Sequence, residues 1–446
     1  MAKKISSEPE ANITLLPRLS IRKFLSNQPV KGMVDWLPGE FKIRKYIFDT
    51  WRQVCLSYGM EEYLTPVLEN AEIYRAKSGE DVGQKELMVF VDQGSRELAL
   101  RPEMTPSVTR LVSKIYEASP KPIKYFSIAN FVRNERPQRG RNREFWQLNC
   151  DIFGSVSLSS DIEVLTLALD LMLAFNPPKD SFVLSLNHRG LLDDLLSLLK
   201  INHEKKLAVA RILDKYPKLK EADFAKCLVD LDLDSKQIKT IIKFMTAISL
   251  ADLKQRLPEL TESQGLKELE EIMTALRKLG YQKLIEFKPS VIRGFDYYDG
   301  VIFEVFDKHP ENNRALFGGG RYNGLAELFG SRSFPAVGFA PGDETTRLFL
   351  ESWGLLKKID LADSNKYYLP LLNFGLEFEA IELTKKLRAE GWNIEMGLEV
   401  TKIGKALEYA NKKGISQVII LGEDELAQKI YKVKDMSSGR EKQNKL

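Results

Sequence analysis

The chain has 446 residues, 43% of them hydrophobic and 29% charged, with a formal net charge of +4. That is enough for two or three domains with buried cores, and too even a charge for a protein that grips nucleic acid through its overall field. Three cysteines without CxxC spacing and three scattered histidines exclude a disulfide framework and a histidine-rich metal site; no apolar run reaches membrane-spanning length, and the first residues carry Glu8 and Glu10 in place of an apolar core, so a reducing, cytoplasmic setting is expected.

Residues 1–30 mix Ser, Asn, Pro and charge without a period and read as a loose extension. Ile43, Ile47, Trp51, Cys55 and Tyr58 then recur at near-helical spacing, and Gly59 ends that helix. Tyr63 to Leu68 reads as a strand that Pro66 confines to an edge or a bulge. Two short strands follow, Leu87–Asp92 and Arg96–Arg101, around a turn at Gln93 and Gly94. Thr105 and Pro106 suit the cap and first position of a helix. Glu103 therefore falls where a strand gives way to a helix, which suits a ligand-binding carboxylate and equally one placed for the helix dipole.

The stretch from Tyr125 to Gly154 is the most distinctive. Five arginines lie between Arg133 and Arg143, flanked on both sides by apolar segments. Because side chains alternate along a strand, Phe145, Gln147, Asn149 and Asp151 share one face. Trp146, Leu148, Cys150 and Ile152 take the other, the packing side. Pro137 to Arg141 makes an exposed basic turn. The expectation is an antiparallel hairpin with a polar working face and an apolar back. A solvated surface hairpin would explain the arginines but not Gln147 and Asp151 in register with Phe145.

A helix is expected over Asp161–Phe175 and a strand closing at Gly190. Residues 191–288 carry repeated helical periodicity rich in Leu, Lys and Glu, with solvated faces and no sign of chemistry. Strand character returns from Ser290 to Phe306, in Ala315–Gly324 and in Pro335–Asp343. Three adjacent glycines, Gly318 to Gly320, let backbone approach a ligand closely, and no Gly-Lys-Ser/Thr follows to make a phosphate loop. Strand–helix alternation over 365–446 predicts a small α/β domain, whose last strand, Lys429–Met436, leads into a polar tail.

These segments together resemble the histidyl-tRNA synthetases, a family of class II aminoacyl-tRNA synthetases. The resemblance rests on the region through Pro66 (motif 1), on LRPEMT at Leu100–Thr105 and on FVRNERPQRGRNREFWQ (motif 2). RGFDYY at Arg293–Tyr298 and FGGGRYNGL complete it. It covers nearly everything from Gly32 onward. The fold it implies is α+β, with a class II antiparallel-sheet catalytic core in two parts. Residues 31–190 carry motifs 1 and 2, and residues 289–356 carry the histidine signatures and motif 3. A helical insertion over 191–288 separates them, and residues 365–446 form an anticodon-binding-like α/β domain.

The resemblance also implies a homodimer that joins L-histidine to tRNA(His) with ATP. By the family pattern Arg133 and Arg293 are catalytic, on opposite sides of the α-phosphate, and border the histidine. Glu135 and Arg141 hold ATP, Phe145 stacks on adenine, Arg347 supplies the motif 3 cation, and Mg2+ rides on the phosphates without a protein ligand cluster. Asp151 accepts from one imidazole nitrogen and Tyr298 serves the other. Glu103, Thr105 and Gln147 take the α-amino and carboxylate end, and Tyr297 and Tyr322 line the pocket. Arg136 and Arg139, at the hairpin tip, meet the tRNA acceptor end.

The chain departs from the pattern in several places. Motif 3 usually places arginine three residues after glycine, whereas Arg347 follows Gly342 two positions late, a rotation of about 200° on a helix. Met104 replaces a common glycine, Trp146 a usual histidine, and the family's closing helix is missing or very short. A non-catalytic, histidine-sensing relative, the regulatory subunit of ATP phosphoribosyltransferase, is the main alternative; Arg133, Arg293 and the C-terminal domain favour the enzyme. An RNA-binding module would leave Tyr298, Asp151 and Glu103 without a purpose.

Overall fold

The structure, a computed structural model, describes residues 26–76, 86–292, 297–312, 314–358 and 366–446. Most of the predicted N-terminal extension, and Arg293, lie outside the described residues. Two compact units divide at Leu356 and Lys357.

In the first unit, α1 (Pro38–Ser57) opens on a proline, which suits a first helical turn, and buries Ile47, Trp51 and Cys55. β1 (Glu61–Glu62) and β2 (Leu68–Asn70) follow. One continuous strand was expected here. Pro66 has no N–H to give a ladder, and the chain breaks at it, with β1 in one sheet and β2 in another. Arg101 holds the break, its Nη1 donating to the Thr65 carbonyl at 2.7 Å and its Nε to the Asn130 carbonyl at 2.8 Å. After α2 (Glu72–Arg75), β3 (Met88–Val91) and β4 (Glu97–Leu100) complete a three-stranded sheet in the order β2-β4-β3.

α3 (Thr105–Ile115) leads to the hairpin of β5 (Ile123–Val132) and β6 (Glu144–Phe153). Next come α4 (Leu158–Leu173), β7 (Phe182–His188) and α5 (Arg189–Leu198). The helical stretch continues with α6 (His203–Asp214), α7 (Glu221–Val229), α8 (Ser235–Met245), α9 (Leu250–Arg256) and α10 (Gln264–Lys278). It packs on the sheet through small residues: an added methyl on Gly265 of α10 would sit 2.6 Å from both the Leu191 nitrogen and His188 Nδ1. β8 (Ile285–Phe287), β9 (Val301–Asp307), β10 (Ala315–Arg321), β11 (Ala336–Phe339) and α11 (Asp343–Ser352) close the unit. Of the stretch expected as a strand from Ser290, residues 293–296 lie outside the described residues, and β9 begins at Val301.

The large sheet has eight strands in the order β1-β5-β6-β11-β10-β9-β7-β8. Its end pairs, β1 with β5 and β7 with β8, are parallel; the others are antiparallel. One face carries Phe126, Leu148, Cys150, Ile152, Phe303 and Phe339 into the main core with α1 and α4. The opposite face carries Ala129, Phe131 and Phe153 into a second core with Met104, Val108 and Val112.

The second unit contains β12 (Lys366–Leu371), α12 (Glu377–Ala389), β13 (Asn393–Val400), α13 (Ile403–Lys412), β14 (Gln417–Ile420), α14 (Glu423–Ala427), β15 (Ile430–Asp435) and β16 (Glu441–Lys445). Its sheet order is β13-β12-β14-β15-β16. The expected polar tail is thus a strand. Asp435 Oδ1 accepts from the Ser437 and Ser438 nitrogens at 3.0 and 2.7 Å, and Gly439 takes a φ of 70°, so the chain turns back on β15. Polar side chains suit this edge position, because charge discourages further pairing.

Candidate active site

The site is built on the β5–β6 hairpin. Tyr125 pairs with Asp151, Ala129 with Gln147 and Phe131 with Phe145, and residues directly opposite share a face. The row continues from Asp151 through Gly338 of β11 and Gly320 of β10 to Ile302 of β9. Both glycines are required there. A methyl on Gly338 would fall on the Asp151 carboxylate and 2.5 Å from the Cys150 carbonyl. One on Gly320 would lie 2.6 Å from the Val301 carbonyl and 2.8 Å from Tyr298 Cδ1. The glycines make a flat floor on which Asp151 and Tyr298 lie.

A run of linked groups rises from that floor. The Tyr322 hydroxyl donates to Asp151 Oδ1 at 2.5 Å, and its ring meets that of Tyr297 at 5.7 Å between centroids. Tyr297 stands 4.7 Å from Tyr298 and donates to Glu103 Oε2 at 3.3 Å. One residue before Glu103, the Pro102 carbonyl accepts from Arg133 Nε at 3.0 Å. The Arg133 guanidinium sits 4.9 Å above the Phe145 ring, which packs on Phe131 at 5.8 Å. Thus Glu103, Arg133, Phe145, Asp151, Tyr297, Tyr298 and Tyr322 come together. Gln147 shares their face and donates to the Ala340 carbonyl at 3.3 Å. Thr105 is the first residue of α3, beside Glu103; Met104, fully buried, accepts at its sulfur from Thr65 Oγ1 at 3.3 Å.

The remaining predicted residues are placed differently. Arg141 meets Glu135 at 3.3 Å near the tip, where Arg136 and Arg139 are exposed. Arg347 bonds Glu344 at 2.8 Å and Glu351 at 3.0 Å, and Arg44 of α1 joins the same cluster through Asp343 and Glu344. A place for Arg347 on a nucleotide would require it to release both carboxylates. Arg321, inside the glycine signature, points away from the site and forms a buried pair with Asp161 of α4 at 2.7 Å. Among the described residues no group of three or more His, Cys, Asp or Glu converges to hold a metal ion.

Burial dominates the electrostatics. Desolvation lifts the Asp151 carboxyl to about 7, against the lowering effect of the Tyr322 hydrogen bond. The Tyr322 hydroxyl is itself pushed well up, by burial first and then by the Asp151 charge. Behind Asp151, Cys150 Sγ lies 3.4 Å from Cys55 Sγ of α1. Both are free thiols, a proximity that cysteine spacing could not reveal. Sequence reasoning also passed over Gly338, although a glycine inside a strand signals close approach of another group.

The histidyl-tRNA synthetase family model matches residues 32–343, and an anticodon-binding domain model matches residues 369–446. A histidine–tRNA ligase from Leptospira biflexa is 39% identical over 422 residues, covering 93% of this chain and 94% of the relative. One from Pyrococcus furiosus is 35% identical over 424 residues, covering 94% and 96%. Among solved structures, histidyl-tRNA synthetase from Nostoc sp. PCC 7120 superposes with a TM-score of 0.79 at 24% identity, covering 95% of this chain and 97% of that one. That last likeness is one of fold.

Proposed function

The chain belongs to the histidyl-tRNA synthetase family, and we propose that it attaches histidine to tRNA(His) in two steps on the face of the large sheet. First, a carboxylate oxygen of histidine attacks the α-phosphorus of ATP, the bond to the β-phosphate breaks, and pyrophosphate leaves with the electron pair. Second, the terminal ribose hydroxyl of tRNA(His) attacks the acyl carbon, its proton passes to the adenylate phosphate, and AMP departs with the electron pair of the broken acyl C–O bond. No protein nucleophile takes part, so the protein must contribute position and charge.

The observation that carries this reading is the linked run from Arg133 through Pro102, Glu103 and Tyr297 to Tyr322 and Asp151 above Gly320 and Gly338. It offers a cation at one end and a buried carboxylate at the other. Arg133 is assigned to the α-phosphate and Phe145, beneath it, to adenine. Glu135 and Arg141 are assigned to the rest of the nucleotide. Arg293 is assigned to the opposite side of the phosphate from its place in RGFDYY. Glu103, Thr105 and Gln147 take the amino end of histidine, and Asp151 with Tyr298 the imidazole. A pocket whose buried polar groups need partners rejects apolar analogues strongly. A magnesium ion on the nucleotide would neutralise charge on the phosphates.

Residues 365–446 are proposed to read the anticodon, and the exposed Arg136 and Arg139 to meet the acceptor end. A homodimer is supported by the outer face of the three-stranded sheet, where Leu68 and Phe90 are each 41% exposed and share a face with Met88, Leu98 and Leu100. Apolar patches of that kind mark protein contacts. No described helix is long and apolar enough to cross a membrane; the proposed setting is the cytoplasm. Purified protein is expected to catalyse histidine-dependent exchange of pyrophosphate into ATP. Histidine binding without exchange would overturn the ligase reading in favour of a sensor.

A further inference from the structure

The tip of the hairpin meets two other elements, and a cation without a carboxylate sits at that junction. The tip is closed by its own backbone, the Gln138 nitrogen donating to the Arg141 carbonyl at 3.0 Å and the Arg141 nitrogen to the Gln138 carbonyl at 2.9 Å. α11 lies against it: an added methyl on Gly140 would sit 3.1 Å from Leu348 Cδ1. The start of β10 lies against it too, because Arg314 Nη2 donates to Gln138 Oε1 at 2.8 Å. Arg314 is exposed, and among the described residues no carboxylate pairs with it. Its neighbours are committed differently. Arg347 is held by Glu344 and Glu351, and Arg141 by Glu135.

Adenylation expels pyrophosphate, so negative charge grows on the terminal phosphates as their bond to the α-phosphorus breaks, and a cation placed there lowers the barrier. α11 does not supply one. Three residues after Gly342 it carries Thr345, whose hydroxyl donates to the Leu316 carbonyl of β10 at 3.0 Å. That contact seats α11 on β10 two residues beyond Arg314, a separation of about 6.7 Å along the strand. Arg314 thus rises from the strand that carries the glycine floor, beside the place on α11 that Thr345 fills. A guanidinium has more donors than one amide can use, in a planar fork that matches phosphate oxygens. We propose that Arg314 is a nucleotide-binding residue that takes the terminal phosphates of ATP and the pyrophosphate that leaves, with Gln138 holding it in position. This rests on the reading of the hairpin as the nucleotide site. It gives to an exposed arginine of β10 the role that Arg347 could fill only by releasing two carboxylates.

The test is calorimetric binding of ATP and of AMP, in magnesium buffer, to full-length wild type, Arg314→Ala, Arg314→Lys and Arg347→Ala, with pyrophosphate exchange and Tm recorded for each. AMP lacks the terminal phosphates. Arg314→Ala is expected to weaken ATP binding at least tenfold and AMP binding less than twofold. In exchange, its ATP KM is expected to rise at least tenfold and its histidine KM to stay within twofold of wild type. Arg314→Lys keeps the charge without the fork and is expected to weaken ATP at least threefold; it decides by the same comparison if Arg314→Ala folds poorly. Equal losses for ATP and AMP would mean that Arg314 only shapes the hairpin tip, and would overturn the proposal. So would a tenfold loss of ATP affinity in Arg347→Ala beside a loss below twofold in Arg314→Ala. Wild-type protein that neither binds these nucleotides nor exchanges pyrophosphate would overturn the nucleotide site itself, and this inference with it.

Discussion

Asp151 illustrates how a single residue carries both selectivity and cost. Its folded carboxyl titrates near 7 against an ordinary 3.8, because burial opposes the charge. A raised carboxyl pKa gives stability that is full below the unfolded value and is lost as pH rises through the folded one. Between pH 4 and pH 8 the unliganded protein therefore loses roughly 4 kcal/mol through this group. Asp151→Asn is expected to raise the Tm by several degrees at pH 8 and hardly at all at pH 4, as thermal melts at both values would reveal. Equal gains at the two pH values would show that packing, not ionisation, sets the difference. Stability given up at a site for function is a common pattern.

At the scale of elements, the hairpin and the two glycine strands act as one surface. The alternation along β6 was legible because strand periodicity follows from the backbone, and Trp146, Leu148, Cys150 and Ile152 do pack away from the working face. What periodicity could not show is the neighbour: β11 lies beside β6 although some 180 residues separate them. Gly338→Ala tests that junction. Its methyl meets both the Asp151 side chain and backbone of β6, so strands as well as side chains must move. Exchange activity is expected to fall at least a hundredfold, with a Tm loss equivalent to about 1–3 kcal/mol of overpacking. Near-normal exchange would mean the two strands can part without disturbing Asp151.

For the whole molecule, the second unit has cores of its own, around Leu369, Leu383 and Ile419 on one side of its sheet and Ala406 and Val418 on the other. The first unit bears the apolar outer face proposed for self-association. Phe90→Asp, which puts a charge at an exposed position of that face, is expected to shift light scattering from about twice the chain mass to one chain mass. A wild-type protein of one chain mass would remove the homodimer from the reading.

The amino-acid sequence by itself determined the order of elements, the two faces of the hairpin, the helical stretch and which residues are candidates for the pocket, because periodicity, turn chemistry and short motifs are local. Tertiary structure decided which of those residues meet. It broke the predicted strand at Pro66, turned the polar tail into β16 through the Asp435–Gly439 turn, and committed Arg347 to Glu344 and Glu351. It also set Cys55 beside Cys150 and Arg314 beside Gln138. Each of these depends on which strand or helix lies alongside, and that is settled by packing the whole chain at once.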